Sequence, residues 1–194
     1  MRAWIEMISP DVADGKLAKL YEKARTPAGT VDNVMQAHSL RPHTLDGHVA
    51  LYRAVLHHPD NTLPDWFLEA VGSYTSILNG CDYSLTHHRH NARALLGGGE
   101  TGDAALAALD NREPEKEFEG KYLALLQYVE KLTLSPAAIA REDVEGLRAS
   151  GASDGEILET NQVCGYFNYV NRHLNGLGVS TEGDKIGYYD EPGS

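Results

Sequence analysis

The sequence is poor in cysteine, with two in 194 residues. Two cysteines cannot make a disulfide framework, and nothing else points to an oxidising compartment. No stretch approaches the ~18 consecutive apolar residues of a membrane span. The opening "MRAWIEMISPD" carries Glu6 and Pro10 and lacks the apolar run of a signal peptide. The expected location is therefore the cytoplasm. Basic runs are missing too: 17 Lys and Arg are scattered among 28 Asp and Glu, for a formal net charge of −11. Such a surface repels phosphate backbones, which argues against a nucleic-acid partner. Strand-like alternation and internal repeats are absent from the pattern. Nothing in the sequence calls for a cofactor.

What is present is helical periodicity nearly throughout. The length suits one domain, 1–194, with an N-terminal helical arm and a core motif at about 45–100. Near the start, "SPDVADGKLAKLYEKA" offers Ser9 as a cap and Pro10 at a first helical position. Leu45, Val49, Tyr52 and Leu56 then recur at helix spacing. A third helix starts near Pro64 and carries Trp66, Phe67, Ala70, Val71, Tyr74, Ile77 and Leu78 as a wide apolar face, broken by Asn79-Gly80. Helix resumes at Cys81 and stops at Gly97-Gly98-Gly99, and the stretch from 97 to 115 reads as a loop. Residues 115–134 form another amphipathic helix. The last long one opens with a capping box, Ser153 and Glu156, and ends at Gly176 and Gly178. The polar tail after 180 is expected on the surface or against a neighbour.

Chemistry concentrates in "ILNGCDYSLTHHRH", residues 77–90. Cys81, Leu85, His88, Ala92 and Leu95 fall on one inward stripe. Ser84 is one turn above Cys81, and His88 one turn above Ser84. A thiol at a helix start meets unpaired N–H groups, which favour the thiolate. On the preceding helix Glu69, Gly72, Ser73 and Ser76 make a narrow polar strip. That strip reads either as a carboxylate aimed at the thiol and imidazole or as a solvated face. Cys164 lies among apolar positions and reads as packing. His87 and His90, at i and i+3, lack an evident third ligand, so no metal is expected. His38, His43, His48, His57 and His58 are dispersed along the chain. Asn161, Asn168, Asn171 and Asn175 form a band that reads most simply as solvated.

Glu69, eleven residues, Cys81-x-x-Ser84, three residues, His88: this spacing resembles the signature of the carboxymuconolactone decarboxylase and AhpD-like alkyl hydroperoxidase family. There the pattern is Glu, eleven residues, Cys-x-x-Cys, three residues, His. The flanking "DNVMQAHSLRPHTLDGHVALYRAVLHH" and "FNYVNRHLNGLGV" resemble its peroxidase-related branch. The resemblance implies an all-α AhpD-like bundle assembling as trimers or hexamers. It implies a thiol-dependent hydroperoxide reductase, with Glu69 and His88 relaying protons and Cys81 as the first cysteine. The departure is Ser84, where the family has the second cysteine, which meets the peroxide. A hydroxyl cannot close a disulfide. Two chemistries follow. Cys81 is oxidised to a sulfenic acid and rescued by an external thiol, or Glu69 and His88 act as an acid–base pair of a decarboxylase or lyase. A non-catalytic oligomeric remnant is the third reading.

Overall fold

The computed structural model describes residues 1–189. Among them are nine α-helices, three short 3-10 turns and no strand. Ser9 and Pro10 begin a 3-10 turn, Pro10–Val12, before α1 (Gly15–Lys23). Then follow α2 (Asn33–Gln36), α3 (Pro42–Leu56), α4 (Asp65–Leu78) and α5 (Asp82–Leu95). The chain continues through α6 (Gly99–Asp110), α7 (Gly120–Leu134), α8 (Arg141–Ala149) and α9 (Asp154–Leu177).

The expected loop at 97–115 contains α6. Its apolar residues are mostly alanine, and Ala105, Leu106, Ala108 and Leu109 are buried. Gly97 and Gly98 before it and Gly99 at its first position each have positive φ, so they turn the chain sharply and α6 folds back on α5. The capping box of α9 is present in full. Glu156 N–H donates to Ser153 Oγ at 3.2 Å, and Ser153 N–H donates to Glu156 Oε2 at 2.9 Å. Gly178, at φ 58°, closes the other end in the left-handed conformation.

α4 is the axis of the molecule and buries every residue from Phe67 to Ser76. Its main neighbours are α5, α9 and α7. Phe67, Val71 and Tyr74 pack with Leu125 and Val129 of α7 and with Val163 and Phe167 of α9. Burying each such side chain is worth about 1.5–3 kcal/mol. Gly72 permits the close approach of α9: a Cβ there would lie 2.4 Å from the Phe167 ring. A smaller cluster, with Leu17, Leu20 and Tyr21 of α1 against Met35 and Leu45, covers the far side of α3.

The band of asparagines on α9 is only partly solvated: Asn171 is buried, Asn161 and Asn168 are half-buried, and Asn175 is exposed. Asn171 is fully buried and donates to Ser76 Oγ at 3.3 Å. Asn168 donates to Thr133 Oγ1 and Asn175 to the carbonyl of Asn79. Asn161 donates to Tyr128 Oη. These side chains absorb polar groups that helix packing would otherwise strand.

The tail returns across the body. Ser180 N–H donates to Arg2 O at 2.9 Å, and Trp4 N–H to Leu177 O at 2.8 Å. Asp184 accepts from Asn33 N–H at 3.1 Å and from Tyr83 Oη at 2.5 Å. Its side chain is only 4% exposed. The tail's last five residues, 190–194, lie outside the described ones.

Candidate active site

The Gly80 break fixes where the chemistry begins. Gly80 has φ 59°, and the following Cys81 N–H donates to Ser76 O at 2.9 Å. Cys81 thereby becomes the cap residue of α5, with extended backbone. It is 1% exposed. Burial pushes its thiol up. The Asp82 charge adds to this, while the backbone amides of Ser84 and Tyr83 pull it back. The thiolate expected at this helix start is thus opposed by desolvation, which outweighs the helix effect.

Glu69 and His88 meet across the α4–α5 contact. His88 Nδ1–H donates to Glu69 Oε2 at 2.6 Å, with both side chains buried. Asn91, one turn further along α5, donates to Glu69 Oε1 at 3.1 Å. Asn91 in turn accepts from Tyr188 N–H at 2.8 Å. Both carboxylate oxygens are therefore occupied, and the polar strip on α4 is interior. The His88 ring stands edge-on to Phe167, centroids 4.6 Å apart. With Nδ1 committed to Glu69, Nε2 is the nitrogen left for chemistry.

His88 and Ser84 line an inner cavity of about 30 Å³. Asp32, His48, His87 and Tyr188 face them around it. Cys81 does not line this cavity. Of the four sequence-predicted residues, then, Glu69 and His88 are bonded, Ser84 joins His88 at the cavity, and Cys81 sits one turn away from it. A larger outer pocket of about 460 Å³ shares Met35, Tyr52 and Tyr188 as walls. Arg25, Arg53 and His57 also line it.

Several residues were missed in the sequence. Asn91 was findable, since it follows His88 at i+3 and must share its face. Asp32 and Tyr188 were not: they come together from opposite ends of the chain. The dispersed histidines are partly gathered. His38 lies between His173, with ring centroids 4.4 Å apart, and His48, at 4.8 Å. Burial drives His48 down to about 4 and His38 to about 3. His87 and His90 diverge. His87 faces Asp184 at 3.7 Å, and His90 Nε2 lies 3.2 Å from the Tyr189 carbonyl. Among the described residues no group of three or more His, Cys, Asp or Glu is arranged to hold a metal ion.

The same architecture occurs in solved structures. An uncharacterized peroxidase-related protein from Ralstonia eutropha JMP134, described as an alkylhydroperoxidase AhpD core, superimposes with TM-score 0.81 at 19% identity. The match covers 93% of each chain. A peroxidase-related protein from Silicibacter sp. TM1040 also gives 0.81, at 23% identity, over 98% of this chain and 95% of that one. The debrominase Bmp8 gives 0.70 at 16% identity, over 94% and 92%. No family model matches the sequence, and no curated protein matches it. The fold is AhpD-like and all-helical. No helix among the described residues is long and apolar enough to cross a membrane.

Proposed function

We propose that this protein is an enzyme that moves a proton on a small organic molecule whose polar end enters the inner cavity and whose body lies in the outer pocket. His88 is the proton carrier, and Glu69 orients it and stabilises its charged form. The observation that carries this reading is the buried 2.6 Å hydrogen bond between Glu69 and His88, with His88 on the cavity wall. Ser84 supplies a hydroxyl beside the imidazole. In a decarboxylation the bond between carbon and CO2 breaks, its electron pair stays on carbon, and protonated His88 delivers the proton.

The test is a panel of carboxylated lactones and phenolic acids, followed by CO2 release. Wild type and Cys81→Ser are expected to turn over at least one. Glu69→Gln and His88→Gln are expected to lose about a hundredfold or more. No turnover by wild type, or full turnover by His88→Gln, overturns the reading.

A thiol-dependent hydroperoxide reductase is the second reading. It is favoured by the backbone amides of Tyr83 and Ser84 acting on the Cys81 thiol, and by the peroxidase-related solved structures. The sulfur would attack the terminal peroxide oxygen, the O–O bond would break, and the leaving alkoxide would take its proton from His88. An external thiol would condense with the sulfenic acid, releasing water, and a second would restore Cys81 as an external disulfide leaves. Oxygen added at Cys81 on intact mass after peroxide, with activity lost in Cys81→Ser, selects this reading over the first.

A further inference from the structure

The C-terminal segment puts an aromatic hydroxyl of its own into the site. Tyr188 lines both the inner cavity and the outer pocket. Its backbone is pinned to Asn91, and its hydroxyl donates to Asp32 Oδ2. Asp32 is 2% exposed, and its other oxygen, Oδ1, has no hydrogen-bond partner. The same holds for both ring nitrogens of His48 and for His87 Nε2, for which Asp184 at 3.7 Å is beyond hydrogen-bond reach, and all are buried. All three side chains line the cavity. Buried polar atoms are nearly always paired. Four orphans around one cavity mark a place where a ligand's hydrogen bonds belong.

The chemistry of the wall narrows the ligand. The cavity of about 30 Å³ has room for about two water-sized atoms, enough for the polar end of a molecule only. No Lys or Arg lines it, while Asp32 does, with Asp184 and Glu69 close behind the wall. A neutral O–H or N–H finds acceptors there, while a carboxylate elsewhere on the molecule meets Arg25 and Arg53 in the outer pocket. Beyond Tyr52, Met35 and Tyr188 the outer pocket of about 460 Å³ offers apolar and aromatic surface for the rest of the molecule.

We propose that the cavity and outer pocket together bind a small flat-ring molecule carrying a neutral O–H or N–H donor, as in a phenol, and that Tyr188 is a built-in stand-in for it. This names a substrate class for the proton-transfer site and rests on that reading of the cavity. The substrate hydroxyl takes the place of the Tyr188 hydroxyl on Asp32, and the ring lies between Tyr52 and Met35. Tyr188 is thus a self-ligand that the substrate must displace.

Binding of 4-methylphenol and of toluene, which has the ring without the donor, tests this by calorimetry or NMR on the full chain. Wild type is expected to bind 4-methylphenol about tenfold tighter than toluene. Tyr188→Phe keeps the ring but frees Asp32, and is expected to bind 4-methylphenol about tenfold tighter still. Asp32→Leu is expected to abolish the preference; should it fail to fold, the Tyr188→Phe comparison decides alone. Equal binding of the two probes by wild type, or no gain in Tyr188→Phe, overturns the proposal. These readouts need no turnover, so they stand apart from the His88→Gln activity test that decides the proton-transfer reading.

Discussion

His48 is held as a neutral imidazole inside the protein, 3% exposed, with neither nitrogen paired. Burial, helped by the nearby His173, lowers it from 6.5 to about 4. Below pH 6.5 the unfolded chain takes up a proton here that the folded protein refuses. Stability is therefore lost as pH falls from about 6.5 to about 4, by about 3 kcal/mol from this residue. Urea unfolding of wild type and His48→Phe across that window measures it: the variant is expected to lose less stability on acidification. Equal slopes refute the assignment. The two thiols also differ at this scale. Burial raises both. Cys81 begins a helix, where backbone amides favour its thiolate, whereas Cys164 sits in mid-helix and is pulled down by the side chains of Thr133, Thr75 and Asn168. Iodoacetamide at neutral pH is expected to label both slowly in the native protein, and Cys81 first. Faster labelling of Cys164 would remove Cys81 from the candidate site.

At the scale of elements, the contact between α4 and α9 is set by Gly72. Adding a methyl group there drives it into the Phe167 ring. That ring also braces His88. Gly72→Ala is expected to cost about 1–3 kcal/mol of unfolding free energy and to displace the imidazole, so the His88 ring signals should shift in NMR spectra. An unchanged urea midpoint would show that α9 can move away freely. The helices themselves were largely legible in the sequence, because apolar residues recur at 3.6-residue spacing and Pro64, Asn79-Gly80 and Ser153/Glu156 mark their ends. α6 was not, since its short run of alanines carries a weak apolar face after three glycines. The Glu69–His88 pairing was legible only through the spacing that resembles a known signature. Periodicity left Glu69 equally at home on a solvated face. The wall made by Asp32, His48 and Tyr188 had no local signal, since no spacing rule joins residues that far apart.

On the scale of the whole molecule, Val12, Leu51, Leu158 and Tyr169 expose large apolar side chains. With the implied trimeric or hexameric packing, sedimentation at micromolar concentration is expected to give a multiple of 21.2 kDa. A monomer alone would refute assembly. The tail also gives the protein a timetable. Asp32 and Tyr188, which meet in the cavity, are 156 residues apart in the chain. On a ribosome adding about 10 residues per second, roughly 15 s separate their synthesis. α4 and α5 are completed early in that interval, before α9 brings Tyr166, Val170 and Leu174 to the cavity wall. Tyr188 is the last of the cavity's lining residues to be made, so each new copy passes through a stage in which Glu69 and His88 are present and Tyr188 is not yet beside them.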